Sequence, residues 1–243
     1  MLNGLPSTRT AGQPRHRRTG GKGWLAGLLF CLAWVSPITA ADLKTIVFFG
    51  DSLTAGYGLD DPADDAFPAR IQSKIDAAHL PFRVVNAGLS GETSAGGLRR
   101  VDWILRQPID IFVLALGAND GLRGIEPAVT RHNLQAIIDR VRSKYPNAKL
   151  ILAGMNMPPS MGEAYVRDFA AIFPALAENN HTAFVPFLLA GVGGHRELNQ
   201  ADQIHPTPAG HAMVAETVWK VLAPLLRKGN PPTVAAPVGD AHS

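Results

Sequence analysis

The sequence predicts an α/β domain built on a five-stranded parallel sheet, and three observations predict it. Five short apolar runs alternate along the chain with segments of helical spacing. The runs are nearly continuous in β-branched, aromatic and aliphatic residues, the pattern of strands buried on both faces. Side chains able to do chemistry gather just after the runs, at the carboxyl edge where open parallel sheets bind ligands.

In chain order, the strand candidates are 45–49 (TIVFF), 82–86 (FRVVN), 110–116 (DIFVLAL), 149–153 (KLILA) and 182–185 (TAFV). Each is followed by a loop and then a helical segment, near 67–79, 94–106, 127–144, 162–178 and 207–226. In the third of these, Val129, Leu134, Ile137, Ile138 and Val141 set an apolar stripe on one face. Pro127 suits its first turn, and Tyr145-Pro146-Asn147 stops it before the next strand. Repeated β-α units favour a doubly wound, flavodoxin-like strand order of 2-1-3-4-5.

The ends of the chain read differently. Residues 1–23 carry five basic groups (Arg9, Arg15, Arg17, Arg18, Lys22) and no acid. An apolar run, WLAGLLFCLAWV, fills 24–35, and small residues follow in SPITA-AD. That is the pattern of a secretory signal peptide, expected to span 1–41 with cleavage near Ala40 or Ala41 and to send the protein to the periplasm or beyond. Twelve apolar residues are short for a retained membrane anchor, so no stable insertion is expected after cleavage. The formal charge of +3 becomes 3 − 5 = −2 without residues 1–23. The basic balance therefore belongs to the leader, and nothing in the remainder points to nucleic acid. Cys31, the one cysteine, leaves with it, which excludes a disulfide or a Cys-based metal site. Residues 42–227 are long enough for one domain. The segment 228–243, with three prolines and no hydrophobic periodicity, reads as a disordered tail.

Five residues meet at the predicted carboxyl edge. Ser52 lies in FFGDSLTAGYG after the first strand, Gly88 in NAGLSGE after the second, and Asn119 in GAND after the third. Asp202 and His205 lie in QADQIHPTPAG before the last helix. A serine that attacks an acyl carbonyl needs a base, and His205 is the candidate. A carboxylate must hold that histidine's tautomer and stabilise the imidazolium, a role for Asp202. The oxyanion needs donors, which the amides of Ser52 and Gly88 and the Asn119 carboxamide can supply. Gly88 offers its amide with no Cβ in the way.

Other candidates fall away on placement. Asp76 and His79 share the D-x-x-H spacing but precede the second strand, at the wrong edge. Ser90 sits in GLSGE, which lacks the last glycine of G-x-S-x-G. No carboxylate stands three residues before His195, and His211 reads as structural. Asp60, Asp61, Asp64 and Asp65 match no EF-hand spacing and are interrupted by Pro62. Gly191-Val192-Gly193-Gly194 lacks the G-x-G-x-x-G arrangement and reads as a pocket loop.

The blocks FFGDSLTAGYG, NAGLSGETS, GAND and DQIHP, in this order, resemble the four blocks of the GDSL esterases, or SGNH hydrolases. The resemblance runs from about Lys44 to Leu226 and is closest to the secreted bacterial arylesterases, acyl-CoA thioesterases and lysophospholipases. It implies an α/β/α sandwich and an acyl-enzyme on Ser52, with His205 as base and Asp202 orienting it. Ser52, Gly88 and Asn119 would be the oxyanion donors. It implies neither metal nor organic cofactor, and a small-molecule acyl ester as the partner. Two loops depart from the thioesterase members, GMNMPPSMG after the fourth strand and PFLLAGVGGHREL after the fifth. They offer Met155, Met157, Met161, Leu188, Leu189 and Val192 as an adaptable apolar surface for the acyl chain. Met155, Met157, Leu188 and Leu189 are the expected substrate contacts. Two other readings compete: a carbohydrate O-acetyl esterase on the same scaffold, and a binding protein without catalysis. The methionine and leucine content of the loops disfavours the first, and retention of all five catalytic-type residues disfavours the second.

Overall fold

Each apolar run becomes a parallel strand because its side chains find cover on both faces. In the computed structural model, which describes residues 43–227, the strands are β1 (Lys44–Gly50), β2 (Phe82–Gly88), β3 (Ile111–Ala115), β4 (Lys149–Ala153) and β5 (Ala183–Val185). The expected signal peptide (1–41) and tail (228–243) lie outside the described residues. The strands pair in the order β2-β1-β3-β4-β5, all parallel, as the alternation predicts.

Adjacent side chains of β1 show the two layers. Phe48 meets Phe67 of α3 (Phe67–Ala77) edge to face, with ring centroids 5.4 Å apart. Phe49 points the other way, where the Arg100 guanidinium of α4 (Ser94–Ile104) lies 4.4 Å from its ring centre. Both phenylalanines are fully buried. On the Phe48 side α3 packs against α9 (Pro208–Arg227). On the Phe49 side α4 packs against α6 (Pro127–Lys144), and α6 against α8 (Ile172–Asn179). Successive strand residues face opposite ways, so the sheet is enclosed between two helical layers.

Short elements fill the carboxyl edge: α1 (Ser52–Ala55), α2 (Pro62–Asp65) and α5 (Ala118–Leu122). They are too brief to show periodicity, and none of the three is among the helices expected from sequence. The four-aspartate segment forms α2, with Asp61 capping it and Asp65 paired to Arg70. The fourth predicted helix divides at Ala171 into α7 (Glu163–Ala170) and α8. The α6 stripe also shifts: Val129 is exposed, whereas Thr130 and Asn133 turn inward. His211 ties α9 to α3 by accepting the Phe67 N–H at Nδ1, 3.2 Å away. Burial, the largest influence on this ring, lowers its pKa to about 4.

The register positions the site. Gly50 pairs with Gly88 on one side and with Ala115 on the other, so β1, β2 and β3 end level. The chain order reverses at β1, which opens the crevice there. Among the described residues, no helix is long and apolar enough to cross a membrane.

Candidate active site

Ser52 is the first residue of α1, at the end of the central strand. Asp51 caps this helix, its Oδ1 accepting the Leu53 N–H at 3.0 Å. Gly50 is required by close approach, because a Cβ would fall 2.0 Å from Thr54 Oγ1 and 2.8 Å from the Ala115 carbonyl oxygen. The turn is therefore set by packing beneath the serine.

A chain of two polar contacts begins at Ser52. Its Oγ lies 2.9 Å from His205 Nε2, and His205 Nδ1 lies 2.6 Å from Asp202 Oδ2. The second Asp202 oxygen accepts the backbone N–H groups of Ile204 (2.9 Å) and His205 (3.0 Å). One carboxylate thus shapes the turn and holds the ring. Partial desolvation works to raise its pKa, but these three hydrogen bonds and the nearby imidazole prevail and lower it to about 2. Asp202 is a carboxylate at any ordinary pH. The Tyr57 ring covers His205, with centroids 4.7 Å apart.

Asn119, in α5, is steered by its neighbours. Its Nδ2 donates one hydrogen to the Glu92 carbonyl at 3.1 Å, which leaves the other for a ligand. Asp120 beside it is fully buried and locks α5 to α4 and α6. Its carboxylate accepts from the Ser94 N–H (2.7 Å), the Ser94 hydroxyl and Thr130 Oγ1, while Asn133 donates to Ser94 Oγ.

Gly88 calls for a correction of reason. A Cβ there would strike the Ala55 backbone nitrogen at 2.3 Å, so glycine is needed for α1 to seat on β2. Its N–H already donates to Asn86 Oδ1 at 3.0 Å, and Asn86 Nδ2 donates to the Thr54 carbonyl at 2.8 Å. Donation from Gly88 to an oxyanion must share or replace that bond. Ser52 and Asn119 line the apolar cavity beside His205, and Gly88 does not.

That cavity, about 630 Å³, opens beside Ser52, Asn119 and His205. Met155, Met157, Leu189 and the unpredicted Phe187, Leu122 and Pro158 supply much of its wall. Leu188 is a correction: it is 1% exposed and packs in the core, because its neighbours Phe187 and Leu189 take the cavity side. Val192 is likewise core, and Met161 packs against the core away from the cavity. Gly193 and Gly194 do line the cavity. Asp76, His79 and His195 contribute nothing to it.

Asp51 was not singled out from sequence, yet it is the most perturbed acid near the serine. Burial raises its pKa to about 7, the charges of Glu92 and Asp120 push the same way, and the Leu53 N–H works against them. Its Oδ2 has no hydrogen-bond partner. Among the described residues, no three His, Cys, Asp or Glu side chains are grouped as a metal site requires.

A doubly wound sheet with a Ser–His–Asp chain at its carboxyl edge defines a class, the α/β/α hydrolases of ester bonds. Within that class the chain belongs to the GDSL-like lipase/acylhydrolase family, whose profile matches residues 48–213. Esterase TesA from Pseudomonas aeruginosa is 40% identical to it over 197 residues, 81% of this chain and 96% of that protein. A protein named thioesterase 1/protease 1/lysophospholipase L1, from Escherichia coli K12, is 35% identical over 204 residues, 84% of this chain and 94% of that one. The crystal structure of the psychrotrophic esterase EstA from Pseudoalteromonas sp., inhibited by monoethylphosphonate, matches with a TM-score of 0.70. It is 31% identical and covers 75% of this chain and 98% of its own.

Proposed function

We propose that the protein is an exported serine esterase that hydrolyses aryl and short-to-medium acyl esters, thioesters and lysophospholipids through an acyl-enzyme on Ser52. The observation that carries this reading is the unbroken polar chain from Ser52 Oγ to His205 at 2.9 Å and from His205 to Asp202 at 2.6 Å. In the proposed reaction Oγ attacks the acyl carbon while His205 Nε2 takes its proton. The carbonyl oxygen becomes an oxyanion, received by the Ser52 amide and the free Asn119 Nδ2 hydrogen, with the Gly88 amide joining if Asn86 yields it. Collapse breaks the bond to the leaving alcohol or thiol, which leaves with the proton from His205. Water then repeats the sequence, releasing the acid and restoring Ser52.

The methionine-lined cavity suits an apolar acyl chain. Export rests on the basic and apolar character of residues 1–35. Two relatives support the chemistry by their names, an esterase and a thioesterase/lysophospholipase. A fluorophosphonate probe is expected to add one phosphonyl group to Ser52, located by peptide mass spectrometry and absent in Ser52→Ala. Unlabelled folded protein overturns the mechanism. A series of p-nitrophenyl esters from acetate to dodecanoate is expected to favour medium chains. Strict acetate preference together with activity on acetylated glycans turns the reading towards an O-acetyl esterase.

A further inference from the structure

A second groove, of about 470 Å³, lies beside the oxyanion donors and has a different chemistry. Its floor is the loop that follows Gly88, and its walls include Leu89, Ser90, Thr93, Arg99 and Arg123. It starts one residue from Gly88. It also shares Glu92 with the site, because the Glu92 carbonyl holds Asn119. The methionine-lined cavity does not include these residues. The two recesses share no lining residue, so an acyl chain seated in the apolar cavity does not occupy this groove.

The charge of the groove is positive. It contains three guanidinium groups and one carboxylate, and the carboxylate is already matched: Glu92 is buried and bridged by Arg100, whose Nη2 also donates to the Ala87 carbonyl. Arg99 and Arg123 are both exposed, and among the described residues no carboxylate bridges either of them. Arg123 Nη2 donates to the Gly91 carbonyl at 3.0 Å, which orients the guanidinium and leaves its other N–H groups for a ligand. The positive end of the α4 dipole opens to the same place, with the hydroxyls of Ser90 and Thr93 nearby. Fork-shaped guanidinium donors beside hydroxyls match a phosphate better than any neutral group. The patch also stands out against the charge of −2 (3 − 5) that the chain carries outside residues 1–23.

We infer that Arg99 and Arg123 form a leaving-group subsite that reads phosphate, so that the enzyme favours acyl esters or thioesters whose alcohol or thiol carries one. This rests on the serine esterase reading and adds a specificity determinant to it. Phosphate can come from a lysophospholipid headgroup or from a nucleotide-bearing thiol, and the test separates the two.

Two matched substrate pairs are compared at concentrations where each is monomeric. One is octanoyl-CoA with S-octanoyl-pantetheine, and the other is 1-octanoyl-glycerol 3-phosphate with 1-octanoylglycerol. Wild-type protein is expected to favour the phosphate-bearing member of at least one pair by about tenfold or more in kcat/KM, chiefly through KM. Arg99→Gln/Arg123→Gln is expected to erase that preference, and Arg123→Lys to keep part of it. Raising ionic strength should shrink it in the wild type. The pair that shows the effect names the phosphate source. No preference in either pair overturns the inference, as does a preference that survives in the double variant or an equal loss on both members. The lipid pair is repeated on anionic phosphatidylglycerol vesicles, and a preference seen only there also overturns the inference, in favour of a membrane-contact role. The uncharged members report on catalysis itself, so their turnover separates failure of this inference from failure of the esterase reading.

Discussion

Asp76-x-x-His79 and Asp202-x-x-His205 have the same spacing and opposite fates. In the first, at the end of α3, the Asp76 carboxylate accepts from Gln72 Nε2 at 2.7 Å, and the link to His79 runs through the backbone alone, His79 N–H to Asp76 carbonyl at 3.0 Å. His79 projects into solvent at the amino edge of β2. In the second, the carboxylate gathers two backbone N–H groups and the imidazole, and the ring ends 2.9 Å from Ser52. What differs is which edge of the sheet receives the turn and what already occupies the acid. The first is a matter of chain topology and the second of neighbouring side chains, and neither is contained in the spacing.

The largest effect that tests this contrast is on turnover. His205→Ala and Asp202→Asn are each expected to lower kcat for a p-nitrophenyl ester by about 10⁴-fold, with the fold retained by circular dichroism. His79→Ala and Asp76→Asn are expected to stay within about twofold, as surface changes away from a site do. Comparable losses from the second pair break the argument from sheet edges.

A buried acid sharpens the same contrast through stability. Asp51 is enclosed beneath Ser52 with its pKa raised from 3.8 to about 7, mainly by burial. The folded state thus prefers the neutral acid. That contribution is fully present below the unfolded value near 3.8, declines as pH rises, and is lost above about 7. At about 1.4 kcal/mol for each tenfold change in proton affinity, the span is roughly 4 kcal/mol. Asp51→Asn, which cannot ionise, is expected to gain stability relative to wild type as pH rises from 4 to 8. Urea unfolding across that range measures it, and a difference that does not change with pH refutes a neutral Asp51.

The oxyanion side gives the next effect. Asn119→Ala is expected to lower kcat by about 10²–10³ while KM moves little, because the donor acts where charge develops. A change confined to KM removes Asn119 from that role and leaves it a substrate contact.

How much of this was legible from sequence depended on the range of the interaction. The strand runs, the order of the sheet and the residues just past β1, β2 and β3 were legible, since apolar composition and alternation report burial on both faces. The helices α1, α2 and α5, of four or five residues, were not. Leu188 was misread because adjacent residues after β5 look alike in composition, and only the path of the chain decides that Phe187 and Leu189 face the cavity. The partner of the Gly88 amide was hidden for another reason. Asn86 lies two residues away, but its role depends on α1 folding back over β2. Nothing in the FFGDSLTAGYG block marks Asp51 as buried, and only its enclosure beside Glu92 and Asp120 reveals a perturbed acid.

The smallest effect returns to the two turns. Each contains a non-glycine residue in the left-handed region, His79 at φ +52° and Gln203 at φ +60°. That conformation costs an L-residue about 1–2 kcal/mol, part of which glycine gives back as greater freedom in the unfolded chain. His79→Gly and Gln203→Gly are therefore each expected to change stability by less than about 1 kcal/mol, in the stabilising direction. Their effects on turnover should part. Gln203 lines the cavity, donates to the Gln200 carbonyl at 2.8 Å and stands between Asp202 and His205. Loosening it should lower kcat several-fold by letting the imidazole wander from Ser52, since small misplacements of a catalytic group are costly. Loosening His79 should leave kcat unchanged. Equal kcat values for both variants would mean that the Asp202 hydrogen bonds alone hold His205 in place, with no contribution from the backbone at Gln203.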